Sequence, residues 1–236
     1  ASHLPPEWNG IKFYFGDGVG LPEDELNQIR DNTLQNKCEI ADFSQVGRVK
    51  EVDAKEKYES FMKDHFQFSK KIKVAVDCGG ASMTLSAPQI FKNLGLDLVP
   101  VYCDPDPLFS QRPSDPKPEN LGTLTKIVRE KNCDFGVAFD GDGDRSVIVD
   151  DKGSVLSADE TGIIIGKHGL DNRKGVVIAN VECSKTVSEQ LTPLGFSVKK
   201  IQVGHTFLTL HAKKEQALLG IESSGHLILP DYFLFD

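Results

Sequence analysis

Three aspartates stand at alternating positions in the stretch FDGDGDR, which runs from Phe139 to Arg145. The residues between them are glycines, which permit a tight turn and the close approach of a ligand. Because alternate side chains of an extended backbone point the same way, Asp140, Asp142 and Asp144 can converge on one point. Carboxylates about 4 Å apart repel by about 4 kcal/mol per pair at an effective dielectric constant of about 20. The pattern therefore predicts a cation among them.

The cation that this pattern favours is Mg²⁺. Ligands that are all oxygen select a hard cation, either Mg²⁺ or Ca²⁺. An EF-hand calcium loop also begins D-x-D-x-D, but it requires Gly at its sixth position and Glu at its twelfth, where this chain has Arg145 and Asp151. Three carboxylates leave sites on Mg²⁺ for a phosphate oxygen, and Arg145 suits a phosphorylated ligand. A solvated acidic turn without a metal is the alternative that spacing alone leaves open.

The aspartate turn lies between two predicted strands, FGVAF at 135–139 and SVIVD at 146–150. From residue 73 onward, the order of strand, glycine turn, helix and strand predicts α/β units with mainly parallel sheets flanked by helices. The other predicted strands are 73–78, 97–103, 174–181, 197–203 and one around 220–229, and the predicted helices are 86–94, 121–131, 158–167, 184–195 and 209–217. The second unit repeats the first in outline.

The amino-terminal seventy residues have a different pattern. They predict a short strand at 11–15 (IKFYF), followed by helices at 21–34 and 56–66. The charged SKK stretch at 69–71 and a turn-rich polar segment before residue 175 indicate boundaries. The predicted domains are 1–70, 71–170 and 171–236. A proline-rich stretch at 104–120 predicts a long loop, and loops of that length are usually functional or disordered.

The composition argues against several classes of partner. The 236 residues include 27 Lys and Arg against 35 Asp and Glu, a net charge of -8, so we expect neither nucleic acid nor an anionic membrane as a partner. The sequence has no apolar run of membrane-spanning length and no signal-peptide pattern at its start, which favours a cytoplasmic location. Five cysteines stand singly, a pattern typical of reduced structural thiols; they are Cys38, Cys78, Cys103, Cys133 and Cys183.

The opening segment ASHLPPEWNGIK places Ser2 beside His3, with NGIK shortly after. Together with the aspartate turn, it resembles the α-D-phosphohexomutases, the superfamily of phosphoglucomutase, phosphomannomutase and phosphoglucosamine mutase. Their phosphoserine loop reads TASHNPxxxNGxK and their metal loop reads DGDxDR. VGHTF at 203–207 also looks like this family, and GIESSGHLIL at 220–229 is similar to its sugar-binding GExSGH loop. Four motifs occur in the family's order, which makes the resemblance specific.

The resemblance implies a role for each matching residue. Ser2 would carry the phosphoryl group and contribute to the metal site, in which Asp140, Asp142 and Asp144 would hold Mg²⁺. Lys12 and Arg145 would neutralise charge during transfer, and Lys12 or His3 would accept a proton. Glu222 and Ser224 would hydrogen-bond sugar hydroxyls, while His205 and His226 would line the pocket. The implied fold is a series of α/β domains with mixed sheets flanked by helices.

The implied reaction moves phosphate between C1 and C6 of a hexose. Hexose phosphate and hexose 1,6-bisphosphate are the partners that it implies, and phosphomannomutase/phosphoglucomutase is favoured slightly over phosphoglucosamine mutase. A catalytically silent sugar-phosphate-binding relative is an alternative, because Leu4 stands where the family loop has Asn. A phosphatase of the haloacid-dehalogenase type also uses aspartates and Mg²⁺. However, that type needs a nucleophilic DxD after its first strand, whereas DGD comes late here.

Length is the largest departure from the family, whose members have four domains. The chain resembles the end of domain one, all of domain two and most of domain three. We therefore expect a fragment or truncated form, which would turn over poorly by itself because the fourth domain carries the family's main substrate-phosphate loop.

Overall fold

The structure is a computed structural model that describes residues 2–37 and 40–234. Its amino-terminal part contains two helices, α1 (Glu23–Leu34) and α2 (Lys55–His65), which confirm both helices predicted there. Within the described ranges, no helix is both long enough and apolar enough to cross a bilayer.

The strand predicted at 11–15 is wrong. Strand pairing of this segment is limited, within the described part of the chain, to one antiparallel bridge between Tyr14 and Gly20. The chain turns back on itself immediately, and the amide of Phe15 donates to the carbonyl of Val19 at 2.8 Å. The apolar alternation of IKFYF therefore forms a tight loop, because its nearest backbone partner is only a few residues away and leaves room for a single bridge.

The first α/β unit contains one four-stranded sheet. Its strands are β1 (Lys73–Asp77), β2 (Asp97–Val101), β3 (Phe135–Phe139) and β4 (Ser146–Asp150), and its helices are α3 (Ala87–Asn93) and α4 (Gly122–Glu130). The strand order is β2-β1-β3-β4, with β1 parallel to both neighbours and β4 antiparallel to β3. Each strand and helix predicted between residues 73 and 150 is confirmed, and the sheet is mixed.

The second unit repeats this arrangement. Its strands are β5 (Val176–Asn180), β6 (Ser197–Ile201), β7 (Leu219–Ile221) and β8 (Leu227–Ile228), and its helices are α5 (Ala158–Ile164), α6 (Lys185–Leu191) and α7 (His205–Lys214). The strand order is β6-β5-β7-β8, and again only the last pairing is antiparallel. A capping box joins the Ser157 hydroxyl and Glu160 at the start of α5.

Two elements of the second unit differ from the prediction. The stretch 220–229 is not one strand, because the chain reverses between β7 and β8 through a turn that Gly225 closes with a φ of 106°. The amide of Gly225 donates to the Glu222 carbonyl at 3.1 Å across that turn. The last helix begins at His205 and not at Thr209. Gly204 is its N-cap residue and has a φ of 130°, which lies outside the helical range. This earlier start brings His205 into the first turn of α7.

Buried apolar side chains fix the sheets against their helices. In the first unit, Leu121 and Leu124 are fully buried beside Ala75 of β1. In the second, Leu191 of α6 is fully buried beside Val177 and Leu219. Polar residues follow at the ends of corresponding strands, as Asp140 comes directly after β3 and Glu222 directly after β7. The repeated topology thus places two of the predicted site residues, Asp140 and Glu222, directly after equivalent strands of the two sheets.

Candidate active site

The aspartate turn is organised around Asp140, which is fully buried. Its Oδ1 accepts hydrogen bonds from the amides of Gly143 at 2.9 Å and Arg145 at 3.3 Å. Gly143 has a φ of 83°, which favours glycine, so the turn needs this residue type there. The turn brings one oxygen from each of Asp140, Asp142 and Asp144 within 4.8 Å of one another.

Lys12 balances part of this negative charge. Its Nζ lies 2.6 Å from Asp142 Oδ2 and also pairs with Asp144. Burial disfavours the charge on Lys12, but the hydrogen bonds to the two aspartates outweigh it and hold its pKa above the ordinary value. The ammonium thus joins two of the three clustered carboxylates.

The carboxylates differ in their electrostatic environment. Burial raises the pKa of Asp140 to about 6, and the neighbouring charges of Asp144 and Asp142 act in the same direction. Burial also opposes ionisation of Asp142, but the hydrogen bond and charge of Lys12 prevail and lower its pKa to about 2. With three acids and one ammonium in contact, the cluster favours a further cation.

The donor set fits a hard divalent metal ion. The clustered ligand atoms are all carboxylate oxygens, which Mg²⁺ prefers. Asp144 Oδ1 is buried and makes no hydrogen bond within the described residues. A buried acceptor without a donor is costly, and a bound cation would satisfy it. Asp140, Asp142 and Asp144 are therefore the residues that could hold Mg²⁺.

The serine loop lies directly against the aspartate turn. Ser2 Oγ donates to Asp140 Oδ2 at 3.0 Å and lies 3.4 Å from His3 Nδ1. Ser2 has a φ of 52°, a left-handed conformation that costs energy for a residue with a side chain. Burial lowers the pKa of His3, and the positive charge of Arg145 lowers it further. Such strain and close polar contacts are typical of functional loops.

The backbone of Leu4 also anchors this loop. Its carbonyl accepts a hydrogen bond from Ser114 Oγ at 3.0 Å. Ser114 is buried and belongs to the loop predicted at 104–120. The interaction uses the main chain of Leu4, so the loop is held at this position independently of the side chain that stands there.

Arg145 connects the aspartate turn to the second α/β unit. Its Nε donates to His226 Nε2 at 3.0 Å and lies 4.0 Å from Asp140 Oδ2. The ring of His205 lies beside that of His226, with centroids 5.8 Å apart and planes inclined by 25°. Both predicted pocket histidines therefore lie next to the metal-compatible cluster, although His205 comes from α7 and His226 from the β7–β8 turn.

The β7–β8 turn presents polar groups beside Arg145. Ser224 Oγ donates to Glu222 Oε1 at 2.8 Å. Glu222 is buried, and its Oε2 has no hydrogen bond within the part of the chain described. A cavity of about 430 Å³ opens between the two units, and Arg145, Lys117 and Ser224 are among its lining residues. Ser224 thus lines the cavity and contacts Glu222, which is not among the residues that line it.

All of the predicted site residues therefore fall in one region. The sequence did not identify Arg112, which is buried and contacts residues next to this region. Its Nε lies 3.0 Å from both carboxylate oxygens of Asp77, and its Nη2 donates to the Phe139 carbonyl at 2.7 Å. Arg112 thus ties the end of β1 to the residue before Asp140. Asp77 ends an apolar strand just as Asp140 follows one, but no local pattern marks Arg112 as the partner of Asp77.

Comparisons with known sequences agree with this arrangement. Family profiles described as phosphoglucomutase/phosphomannomutase, alpha/beta/alpha domains I, II and III match residues 1–39, 55–153 and 157–236. The chain belongs to the phosphoglucomutase/phosphomannomutase family. The sequence-based assignment to the phosphohexomutases and to α/β domains is confirmed.

Individual members of the phosphoglucomutase/phosphomannomutase family match over nearly all of the chain. A phosphomannomutase/phosphoglucomutase of Pseudomonas aeruginosa is 33% identical over 239 residues, covering 100% of this chain and 50% of the relative. A phosphoglucosamine mutase of Carboxydothermus hydrogenoformans is 33% identical, covering 98% and 54%. A crystal structure of a phosphoglucomutase/phosphomannomutase family protein from Burkholderia thailandensis superposes with a TM-score of 0.91 at 25% identity, covering 99% and 50%. The chain spans about half the length of the curated relatives it matches.

Proposed function

We propose that this chain forms the catalytic and sugar-binding part of a Mg²⁺-dependent phosphohexomutase, which moves phosphate between C1 and C6 of a hexose through a 1,6-bisphosphate. The observation that carries the proposal is the contact between Ser2 Oγ and Asp140 Oδ2 at 3.0 Å, within a cluster that joins a hydroxyl to three carboxylates and two cations. A serine hydroxyl and a metal-compatible site in direct contact are what phosphoryl transfer through serine requires.

Each residue around the aspartate turn has a role in phosphoryl transfer that follows from its position. Ser2 accepts and returns the phosphoryl group, and His3 or Lys12 takes the proton from a hydroxyl. Lys12 and Arg145 neutralise charge on phosphoryl oxygens, because transfer depends mainly on positioning and charge stabilisation. When bound by Asp140, Asp142 and Asp144, Mg²⁺ would supply further positive charge to those oxygens.

The sugar is held from the second unit. Glu222 accepts hydrogen bonds from hydroxyls of the hexose, and Ser224 orients the Glu222 carboxylate through their 2.8 Å contact. His205 and His226 close the side of the pocket next to Arg145. We propose phosphomannomutase/phosphoglucomutase activity, with phosphoglucosamine mutase as the alternative, since relatives bearing both names match at similar identity.

Phosphorylation of Ser2 tests the proposal directly. The protein is incubated with glucose 1,6-bisphosphate and Mg²⁺, and peptide mass spectrometry measures phosphate on the peptide that contains Ser2. We expect this phosphate in the unaltered protein and its loss in Ser2→Ala and Asp142→Ala. Ser60→Ala, an exposed serine on α2, is the matched control and keeps the phosphate. Intact Mg²⁺ binding without phosphate on Ser2 would instead support a silent sugar-phosphate-binding relative.

A further inference from the structure

Two cysteines that are 25 positions apart in the sequence meet inside the first α/β unit. Cys78 follows β1, Cys103 lies two residues after β2, and their Sγ atoms are 3.4 Å apart. Both are free thiols. A disulfide bond is about 2.05 Å long, so the sulfurs need to approach by only about 1.4 Å to bond. The spacing of the single cysteines along the chain does not indicate this contact.

The backbone around the two thiols holds them in this position. The amide of Cys78 donates to the Val101 carbonyl at 3.2 Å, and the amide of Gly80 donates to the Tyr102 carbonyl at 2.8 Å. These bonds continue the β1–β2 pairing past the ends of both strands. The contact therefore belongs to a hydrogen-bonded framework and does not depend on a loose loop.

The two thiols differ in exposure. Cys78 is fully buried, whereas Cys103 is partly exposed. Cys103 lines a surface cavity of about 550 Å³ together with Tyr102, Asp106 and Gln111. A small thiol reagent can therefore reach Cys103 from solvent but not Cys78.

The pKa values of the two thiols are also shifted in opposite directions. A hydrogen bond with Cys78 lowers the pKa of Cys103, although burial opposes this. The same hydrogen bond raises the pKa of Cys78, and burial adds to the rise. A partly exposed thiol of lowered pKa beside a second thiol is the arrangement found in redox-sensitive cysteine pairs.

We propose that Cys78 and Cys103 form a reversible redox site that reacts with low-molecular-weight disulfides such as oxidised glutathione. The Cys103 thiolate attacks one glutathione sulfur, which forms a mixed disulfide and breaks the glutathione disulfide bond, and one glutathione leaves. Cys78 then attacks the Cys103 sulfur, forms the Cys78–Cys103 disulfide and releases the second glutathione. The two cysteine protons end on the two glutathione thiols, so the protein is oxidised and glutathione is reduced.

The site adjoins the support of the aspartate turn. Asp77, which precedes Cys78, pairs with Arg112, and Arg112 donates to the Phe139 carbonyl. A Cβ on Gly79 would stand 2.8 Å from the Arg112 guanidinium carbon, which shows how closely the residues after Cys78 pack against Arg112. Oxidation would therefore occur one residue from the ion pair that positions Asp140.

Differential alkylation tests the proposal without any activity assay. The protein is equilibrated with mixtures of reduced and oxidised glutathione, quenched with acid, unfolded and alkylated, and its peptides are identified by mass spectrometry. We expect a cross-linked peptide pair containing Cys78 and Cys103, with at least a tenfold fall in alkylation of both residues in the most oxidising mixture. Excess reduced glutathione should restore alkylation.

Variants separate this pair from the other thiols. Cys103→Ser and Cys78→Ser should each abolish the cross-link, whereas Cys133→Ser, which removes a buried thiol of the same unit, should leave it intact. The unaltered protein decides the question even if a variant fails to fold. Full alkylation of Cys78 in the most oxidising mixture, or a mixed disulfide at Cys103 that persists without the cross-linked peptide, would overturn the proposal.

Discussion

Gly141 lies so close to Ser2 that a Cβ atom at Gly141 would stand 2.1 Å from the Ser2 carbonyl oxygen. No side chain fits in that space, and the atom it would meet belongs to the backbone. The contact sets the distance between the serine loop and the aspartate turn. Glycine at this position is therefore needed for the approach of the two loops, in addition to any backbone freedom it gives the turn.

Gly141→Ala should consequently displace the serine loop without removing any functional side chain. We expect phosphorylation of Ser2 to slow by about 100-fold, the effect of a misplacement of about 1 Å on a positioned reaction. Initial rates of phosphate incorporation from glucose 1,6-bisphosphate measure it. Gly122→Ala is the control, because a Cβ built there has no described atom within 4 Å apart from its chain neighbours and the backbone of its own helix. An unchanged rate in Gly141→Ala would contradict the positioning role of this contact.

Arg112 should stabilise the fold more than any exposed ion pair does. Removing one partner of a buried pair leaves an uncompensated charge and costs about 3–5 kcal/mol. Arg112→Ala should therefore lower the free energy of unfolding by about that amount and weaken Mg²⁺ binding, as Asp77 and the Phe139 carbonyl lose their donor. Urea unfolding and calorimetric Mg²⁺ titration provide the two measurements.

The matched control is Arg30→Ala, since Arg30 pairs with Asp31 on an exposed helix surface. Such pairs contribute about 0–1 kcal/mol, so its unfolding curve should change little. A similar loss of stability in both variants would show that the Asp77–Arg112 pair contributes no more to the free energy of unfolding than an exposed ion pair does.

The sequence predicted every strand and helix of the first α/β unit and most of those in the second, because their apolar periodicity and glycine turns are local signals. It missed the turn within 220–229 and the start of the last helix at His205. It also identified the residues around the aspartate turn, since each lies in a short motif. The strand at 11–15 was wrong, because alternation in IKFYF says nothing about whether a partner strand is available. Arg112 and the Cys78–Cys103 contact were missed for a related reason. The Cys78–Cys103 contact depends on the parallel pairing of β1 and β2, and Arg112 contacts Asp77 from a loop 35 positions later in the sequence, so neither contact has a local signal.

Glu222 should contribute to sugar affinity through its buried carboxylate. Glu222→Gln removes the charge and one acceptor while keeping the shape of the side chain, so a charge-assisted hydrogen bond worth about 1.5–3 kcal/mol is weakened. We expect glucose 1-phosphate and mannose 1-phosphate to bind about tenfold more weakly, with Mg²⁺ affinity unchanged. Calorimetric titration of each sugar phosphate, in the presence of Mg²⁺, gives the dissociation constants.

Glu182→Gln is the matched control for this variant. Glu182 accepts a hydrogen bond from Ser223, the neighbour of Ser224, at 3.0 Å, but it is exposed. Its replacement should leave sugar affinity as it was. Equal losses in both variants would indicate a general disturbance of the β7–β8 turn and would remove Glu222 from the sugar site.

Lys12 should compete with the metal ion, because its ammonium already pairs with Asp142 and Asp144. A divalent cation bound there must displace this contact or share the carboxylates with a nearby positive charge, and both effects weaken binding. Lys12→Met keeps an unbranched, flexible side chain and removes the charge. We therefore expect it to bind Mg²⁺ about tenfold more tightly, a difference of about 1.4 kcal/mol, while phosphorylation of Ser2 declines.

Calorimetric titration with Mg²⁺ at several ionic strengths tests whether Lys12 weakens Mg²⁺ binding. Lys213→Met is the control, because Lys213 pairs with Asp17, which is not one of the three clustered aspartates, at an exposed position. Tighter Mg²⁺ binding in Lys12→Met, with no change in Lys213→Met, would mean that the Lys12 ammonium and the metal ion compete for the carboxylates of Asp142 and Asp144. Weaker binding in Lys12→Met would mean instead that Lys12 holds Asp142 and Asp144 in the geometry that the metal ion requires.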